Sequence, residues 1–243
     1  MRLSGQVALV TGGAKRIGRS IALSLAEQGC RVAITYRSSV AEADRTLQEI
    51  RRRKAKGLAL QADQRRPEQV QESVRSVVRR FGRIDLLVNN ASSFYPTPFG
   101  RVSETQWADL LEANLSGPWR YAQAVGSLMK RRGSGQIINI LDAAVFSPWT
   151  DYLPYCAAKG GLLTLTKGLA KALAPQVQVN AIAPGPILSP SGLPRQAKKQ
   201  AVRRTLLKRW GNPSEIAQAV LFLAGSDFVT GVVVPVDGGR LLA

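Results

Sequence analysis

The chain is predicted to fold as a single α/β domain, a doubly wound parallel sheet with helices covering both faces. Three observations point there. Short β-rich runs alternate with helical stretches along all 243 residues, the mark of repeated βαβ units. The strand runs are nearly all apolar rather than alternating, as expected when both faces of a parallel sheet are covered. No linker rich in proline, glycine or serine divides the chain, and its length with 45% hydrophobic content suits one large core.

The elements follow in order. "VALVT" (7–11) is the first strand and runs through a glycine turn into a helix over 16–29. "RVAITY" is followed by a helix over 40–56, and "GLALQA" by one over 67–82. "IDLLVNN" precedes a long helical stretch over 103–131, and "QIINIL" precedes a helix over 155–174 that Pro154 helps to start. "VQVNAIAP" and "VVVPVDGG" supply the last strands. The stretch "AIAPGPILSPSGLPRQ" (181–196) is the one long irregular segment, and it follows a strand. Ligands of such sheets bind outside the carboxyl ends of the strands, so the region of about 186–212 is expected to be a lid within the single 1–243 domain.

Bulk properties exclude several classes of function. No apolar run reaches about 18 residues, so no membrane span is expected. The amino-terminal apolar run is strand-length and ends in a glycine turn rather than a cleavage site. Cys30 and Cys156 cannot build a disulfide framework, and a chain without histidine lacks the familiar zinc spacings. A cytoplasmic, metal-free protein is the expectation. The net charge of +18 invites an anionic partner. Yet the basic runs "RRRKAK" (51–56) and "RQAKKQAVRRTLLKR" (195–209) have helical spacing and few aromatics. Solvated helix faces explain them better than nucleic acid does.

The turn after the first strand carries chemistry. In "VALVTGGAKRIGRSIA", Gly12, Gly13 and Gly18 allow a tight turn and close approach of backbone to a pyrophosphate, whose charge a helix amino terminus favours. The bland alternative is a plain strand-to-helix turn, but strand before and helix after favour a Rossmann-type dinucleotide site. The second strand ends in "ITYRSS", with no carboxylate for a ribose 2′-hydroxyl before Glu42. Arg37 between hydroxyls, with Lys15 in the first loop, suits a 2′-phosphate instead. NADPH is therefore the expected cofactor, although Arg37 alone reads equally as a solvated loop arginine.

The stretch "NILDAAVFSPWTDYLPYCAAKGGLLTL" (139–165) adds an acid, a phenol and an amine. Tyr155 and Lys159 are four apart on one helix face, and a nearby cation is expected to lower the phenol pKa towards the range useful for proton transfer. Asp142 follows a strand at its carboxyl end. To supply a proton near neutral pH it needs a raised pKa, from burial or from the Tyr155 pair, and Lys159 opposes that. A simpler role for Asp142 is to anchor the following loop.

Thr11-Gly12 with Gly18, "NNA" (89–91), Asn114, Tyr155 to Lys159, "PG" (184–185) and "VDGG" (236–239) together resemble the short-chain dehydrogenase/reductase family over essentially the whole chain. The resemblance implies Tyr155 as general acid, Lys159 as the residue that lowers its pKa and holds the nicotinamide ribose, and Asn114 as support for a proton relay. It further implies cofactor contacts from Gly12, Lys15, Arg16, Ile17, Gly18, Tyr36, Arg37, Ser38, Ser39, Asp63, Asn90, Ala91, Ser92, Lys159, Pro184, Gly185 and Ile187. Asp63 would lie near the adenine, or simply form a turn. Two departures stand out: Arg16 replaces a glycine of the first loop, and Asp142 replaces a serine thirteen residues before the tyrosine. With "TGGAKRIGRS" and "VNNASSFYPTPF" (88–99), they resemble the pteridine reductase branch. That implies a pterin stacked on Phe94, contacts from Arg16, Ser92 and Pro186, and Asp142 paired with Tyr155 as proton source. A flat heterocycle rich in donors and acceptors suits an aromatic platform with a few fixed polar groups. The blander reading of Phe94 is a core aromatic, but "SSFYPTPF" is too polar and proline-rich for a buried element. Tyr152 is a candidate for the pocket lining.

The expected activity is NADPH-dependent reduction of a C=N bond in a pterin or dihydropterin, with dihydrofolate an extension of the class. The rival is an NADPH-dependent carbonyl or 3-oxoacyl thioester reductase, for which a carboxylate at 142 would repel the developing alkoxide unless protonated. A non-catalytic nucleic-acid or redox-sensing protein is the third reading, opposed by the intact Asn114, Tyr155 and Lys159 set. Lys198, Lys199, Arg203 and Arg204 would steer a substrate's carboxylates if it carried a glutamate tail. Two helices carry apolar positions on two sides, such as Leu162, Leu165 and Leu169, and the resemblance alone implies that such helices pair into a homotetramer.

Overall fold

The computed structural model describes residues 3–189 and 195–243. Strands β1 (Val7–Val10), β2 (Arg31–Tyr36), β3 (Gly57–Gln61), β4 (Leu86–Asn89), β5 (Gly135–Ile140), β6 (Val177–Pro184) and β7 (Val233–Val236) form one parallel sheet. Their order is β3-β2-β1-β4-β5-β6-β7. The order reverses between β1 and β4, so the switch point, where such sheets bind ligands, lies at the carboxyl ends of those two strands. Residues 11–18 follow one of them and residues 90–95 the other.

The strands alternate between two buried layers. Ala8 and Val10 of β1 pack beneath α1 (Arg16–Glu27), α2 (Val40–Arg52) and α8 (Pro213–Gly225). Val7 and Leu9 pack against α3 (Pro67–Phe81), α5 (Gly117–Arg132) and α6 (Leu153–Leu173) on the other face. Leu162 and Leu169 of α6 are spent on this inward packing, so they offer no outward face for a partner. The exposed apolar side chains nearby are instead Trp107 on α4 (Glu104–Leu111) and Trp119 on α5. A short basic helix, α7 (Arg195–Arg203), lies within the expected lid, while residues 190–194 of that lid fall outside the described residues. The basic runs are mostly solvated, as their spacing suggests.

The stretch expected to be one helix over 103–131 is divided. Between α4 and α5 lies a single π-helical turn, Glu112–Ser116, in which the Gly117 amide reaches back five residues to the Glu112 carbonyl. Such a turn carries one residue more than an α-turn, and Asn114 sits in it, fully buried, with its side-chain amide on the Leu110 carbonyl at 2.9 Å. At the opposite, amino-terminal end of the sheet, the buried carboxylate of Asp85 ties down the strands. It accepts from the Val7 amide (2.9 Å), Arg83 Nε (2.7 Å) and Arg132 Nη2 (2.7 Å). Among the described residues no group of histidine, cysteine, aspartate and glutamate is placed to hold a metal, and no helix is long and apolar enough to cross a membrane.

Candidate active site

Thr11 ties the two sides of the switch point together. Its hydroxyl accepts from the backbone amides of Asn90 (2.9 Å) and Ala91 (3.0 Å), and Asn90 Nδ2 returns a bond to the Thr11 carbonyl (2.8 Å). This clamp leaves no room for a side chain at Gly12 or Gly18. At Gly12, φ is +63° and a Cβ would lie 2.9 Å from the Ala91 Cα; at Gly18 it would lie 2.3 Å from the Gly12 carbonyl oxygen. Arg16 also adopts a left-handed backbone, φ +55°, which costs a non-glycine residue about 1 kcal/mol. That geometry explains why a glycine would suit the position and shows the arginine being retained despite strain.

The result is a cleft of ≈ 380 Å³. Its floor is Gly12, Lys15, Arg16, Ile17 and Gly18; one end is Tyr36, Arg37, Ser38 and Ser39; the far wall is Asp63, Asn90, Ala91 and Ser92. Thus thirteen residues expected from sequence to contact a cofactor converge on one space. Lys15, Arg16 and Arg37 make it cationic, and Asp63 is the one carboxylate among its walls. Arg65 holds that carboxylate, with Nε at 3.0 and 3.1 Å from its oxygens, and keeps Asp63 well below the usual carboxylate range. The Asp63 side chain also accepts from the Arg65 amide, so it forms a turn and lines the cleft together.

Pro184, Gly185, Pro186 and Ile187 do not line this cleft. Pro184 ends β6 and the other three follow it, two strands from β4, where the close approach of Gly185 to Asp237 draws the segment onto the carboxyl-terminal loop; a Cβ at Gly185 would meet the Asp237 Cα at 2.6 Å. Pro186 and Ile187 wall a second cavity of ≈ 430 Å³ against residues 235–239.

The acid, phenol and amine meet beyond Ser92. Tyr155 and Lys159 lie on one buried stripe of α6, and β5 delivers Asp142 opposite them. Tyr155 Oη donates to Asp142 Oδ2 at 3.0 Å, Asp142 Oδ1 accepts from the Ala144 amide at 2.8 Å, and Lys159 Nζ donates to the Ile140 carbonyl at 2.8 Å. Asp142 therefore pairs with Tyr155 and anchors its loop at once. Ser92 Oγ donates to Asn114 Oδ1 at 2.6 Å, while Asn114 Nδ2 donates to the Ser93 carbonyl at 2.9 Å. Asn114 thereby fixes the loop that leads to Phe94.

Burial controls the ionisation here. It raises the Asp142 carboxyl, with the Ala144 amide, the Tyr155 hydroxyl and the Lys159 charge opposing. Asp142 thus has the raised pKa that a proton source needs, with burial as its cause; the Tyr155 bond acts the other way because it stabilises the carboxylate. Burial, partly offset by Asp142, pulls Lys159 from 10.5 down to about 8. The sequence expectation for Tyr155 is overturned: its pKa is raised well above 10, by burial and then by Asp142. The Lys159 Nζ lies 5.7 Å from the phenol ring centroid, but desolvation and an adjacent carboxylate outweigh it.

Phe94 stands at the mouth, 41% exposed. Its ring lies edge-on to Tyr155 (centroids 4.9 Å, 74°) and stacks on Tyr152 (4.6 Å, 2°), which backs one of its faces. Trp149 packs edge-on to both Phe94 and Tyr152. Sequence reasoning missed the strut beneath this platform. Tyr95 Oη donates to Asp109 Oδ2 at 3.0 Å, and Asp109 Oδ1 accepts from Arg65 Nη1, the arginine that grips Asp63. Sequence separations of 14 and 44 residues hide such a chain.

A family model described as Enoyl-(Acyl carrier protein) reductase matches residues 12–240. The chain is 38% identical over 240 residues to the 3-oxoacyl-[acyl-carrier-protein] reductase FabG of Staphylococcus epidermidis, covering 97% of this chain and 98% of that protein. Among solved structures it is similar to a blue fluorescent protein from a metagenomic library in complex with NADPH (35% identity, TM-score 0.92, 99% of each chain). It is also similar to a variant of the Serratia marcescens short-chain dehydrogenase/reductase (30% identity, TM-score 0.93, 100% of each chain).

Proposed function

The chain belongs to the short-chain dehydrogenase/reductase family, and from that premise we propose that it is an NADPH-dependent reductase acting on the C=N bond of a pterin or dihydropterin. The cleft fits the cofactor. Gly12 and Gly18 leave backbone where a pyrophosphate needs close approach, and Lys15, Arg16 and Arg37 with Ser38 and Ser39 supply charge and hydroxyls for a 2′-phosphate. When bound, NADPH supplies the hydride. Tyr155 Oη is the proton donor to the ring nitrogen, and its high pKa keeps it protonated at working pH. Asp142, held 3.0 Å away and raised by burial, returns a proton to Tyr155 after transfer. Lys159 places a positive charge beside the phenol as its proton leaves, and Asn114 holds Ser92 and the platform loop in register. Phe94 stacks the heterocycle, with Arg16 and Ser92 at its polar edge.

The observation that carries this reading is the buried Asp142–Tyr155 pair facing an exposed aromatic ring. A second reading, reduction of a 3-oxoacyl thioester, is favoured over the first by the name of the FabG relative, matched along almost its whole length. In that reaction an alkoxide develops beside the tyrosine; Asp142 would repel it only when ionised, and burial raises its carboxyl against ionisation. The test follows NADPH oxidation with dihydrobiopterin and with an acetoacetyl thioester, in wild type and Asp142→Ser. The pterin reading expects turnover of dihydrobiopterin and a loss of about 100-fold or more in the variant. Turnover of the thioester alone, kept or improved by Asp142→Ser, would replace it with the second reading. A homotetramer is the expected assembly, and Trp107 and Trp119 on α4 and α5 offer an apolar surface for it.

A further inference from the structure

Beyond the aromatic cluster, the carboxyl-terminal loop delivers an arginine that nothing above uses. Gly238 and Gly239, at φ +64° and +78°, turn the chain so that Arg240 Cζ lies 5.7 Å from the centroid of the Trp149 ring. Trp149 is in edge contact with Phe94, so Arg240 stands one ring beyond the proposed heterocycle platform. A second cation lies within electrostatic range of it. The turn after α7 packs on the same glycines: the Leu207 amide donates to the Gly238 carbonyl at 3.1 Å, and Leu206 fills the space where a Cβ of Gly239 would lie. Arg204, two residues before Leu206, acts electrostatically on Arg240 as a like charge.

Arg240 is half-buried, and among the described residues no carboxylate lies within ion-pair distance of either guanidinium. The opposite charges that act on Arg240 are Asp142 and Asp237. Asp237 accepts from the amides of Gly239 and Leu241, and Asp142 is committed to Tyr155 and Ala144. A partly desolvated guanidinium next to a like charge costs free energy unless an anion completes it. A guanidinium held over an indole by cation–π attraction keeps its donors available, and a planar fork of donors suits a carboxylate.

We propose that Arg240, laid over Trp149 and backed by Arg204, is a subsite for a carboxylate carried on the substrate beyond its ring. It selects a dihydropterin with an acidic tail, as in a folate, over the same ring with a neutral side chain. The inference rests on the heterocycle reading of the reaction site. It differs from general steering by the exposed lysines of α7 in assigning recognition to one residue.

The experiment compares kcat/KM for 7,8-dihydrofolate and 7,8-dihydrobiopterin, with saturating NADPH, in wild type, Arg240→Gln and Arg204→Gln. The ratio of the two efficiencies is the readout, because any effect of Arg240 on Asp142 acts on both substrates and cancels. Arg240→Gln is expected to lower the dihydrofolate-to-dihydrobiopterin ratio about tenfold, and the exposed Arg204→Gln about threefold. High salt is expected to lower the wild-type ratio as well. A ratio unchanged in Arg240→Gln, with both efficiencies falling together, would overturn the subsite and leave Arg240 acting on Asp142 alone. If wild type reduces neither compound, the heterocycle reading has failed. The subsite is then decided by direct titration with p-aminobenzoylglutamate, followed by tryptophan fluorescence. Saturable quenching in wild type that Arg240→Gln abolishes supports it, and no saturable quenching in wild type refutes it.

Discussion

Replacing Lys159 by methionine should make the pH dependence of stability report the desolvation of the site. The amine is buried and held at about 8 against an ordinary 10.5. Below pH 8 both folded and unfolded chains carry the proton, and the folded state bears the full cost of the buried charge. Between 8 and 10.5 the folded chain loses the proton first, so the unfolded state binds more protons and wild-type stability rises with pH. Each unit is worth about 1.4 kcal/mol, so moving from pH 7 to pH 9.5 should shift the difference between wild type and Lys159→Met by about 2 kcal/mol in favour of wild type. The difference is the useful quantity, because Cys30, pushed up to about 11 by burial, loses stability over the same range in both proteins. Urea unfolding at the two pH values, at one protein concentration and followed by tryptophan fluorescence, supplies the numbers. Adding Asp142→Ser to both proteins should enlarge the shift, since Asp142 holds the Lys159 pKa up. A difference constant with pH to within about 0.5 kcal/mol, or one that moves towards the variant, would refute the picture of a desolvated amine. It would also remove the electrostatic role assigned to Lys159.

Three further outcomes are expected. Arg37→Asp should weaken NADPH about 100-fold while changing NADH less than about threefold, measured by quenching titration, because the 2′-phosphate alone meets the reversed charge. Gly18→Ala should abolish NADPH binding and lower stability by about 2 kcal/mol, despite the better helix propensity of alanine, since its Cβ would press on the Gly12 carbonyl. Calorimetry and cofactor fluorescence read the two effects. Asp85→Asn should cost about 3 kcal/mol and lower Tm by roughly 10 °C while leaving kcat intact, because it uncouples Arg83 and Arg132 at the end of the sheet remote from the cleft.

Much of this architecture was legible in the sequence because parallel strands buried on both faces must be apolar throughout. "VQVNAIAP" coincides with β6 from its first residue to its last. The first loop was legible because its glycines are demanded by contacts between neighbouring segments. The phenol–carboxyl pair was implied by the resemblance, with one residue placed after a strand and one on a helix face, and the two side chains share a 3.0 Å hydrogen bond. Three things were not legible. The break in 103–131 adds a residue without altering the helical pattern around it. The direction of the Tyr155 shift depends on how much water is excluded, which residue spacing does not encode. The close approach of Gly185 to Asp237, a residue 52 positions away, is equally silent in sequence.

The π-helical turn at 112–116 sets the angular phase of everything before it. Each residue of a helix advances about 100°, so deleting one residue there to restore a regular helix would swing α4 by that angle relative to α5. Leu110 would leave the layer beneath Tyr155, and Asp109 would turn away from Arg65 and Tyr95 together. The single surplus residue therefore acts as a keyway. It indexes the rotation of one helix so that the two ends of the binding groove, adenine side and ring side, are aligned by the same strut, and length changes in this segment are closed to the fold in a way that they are not in its surface loops.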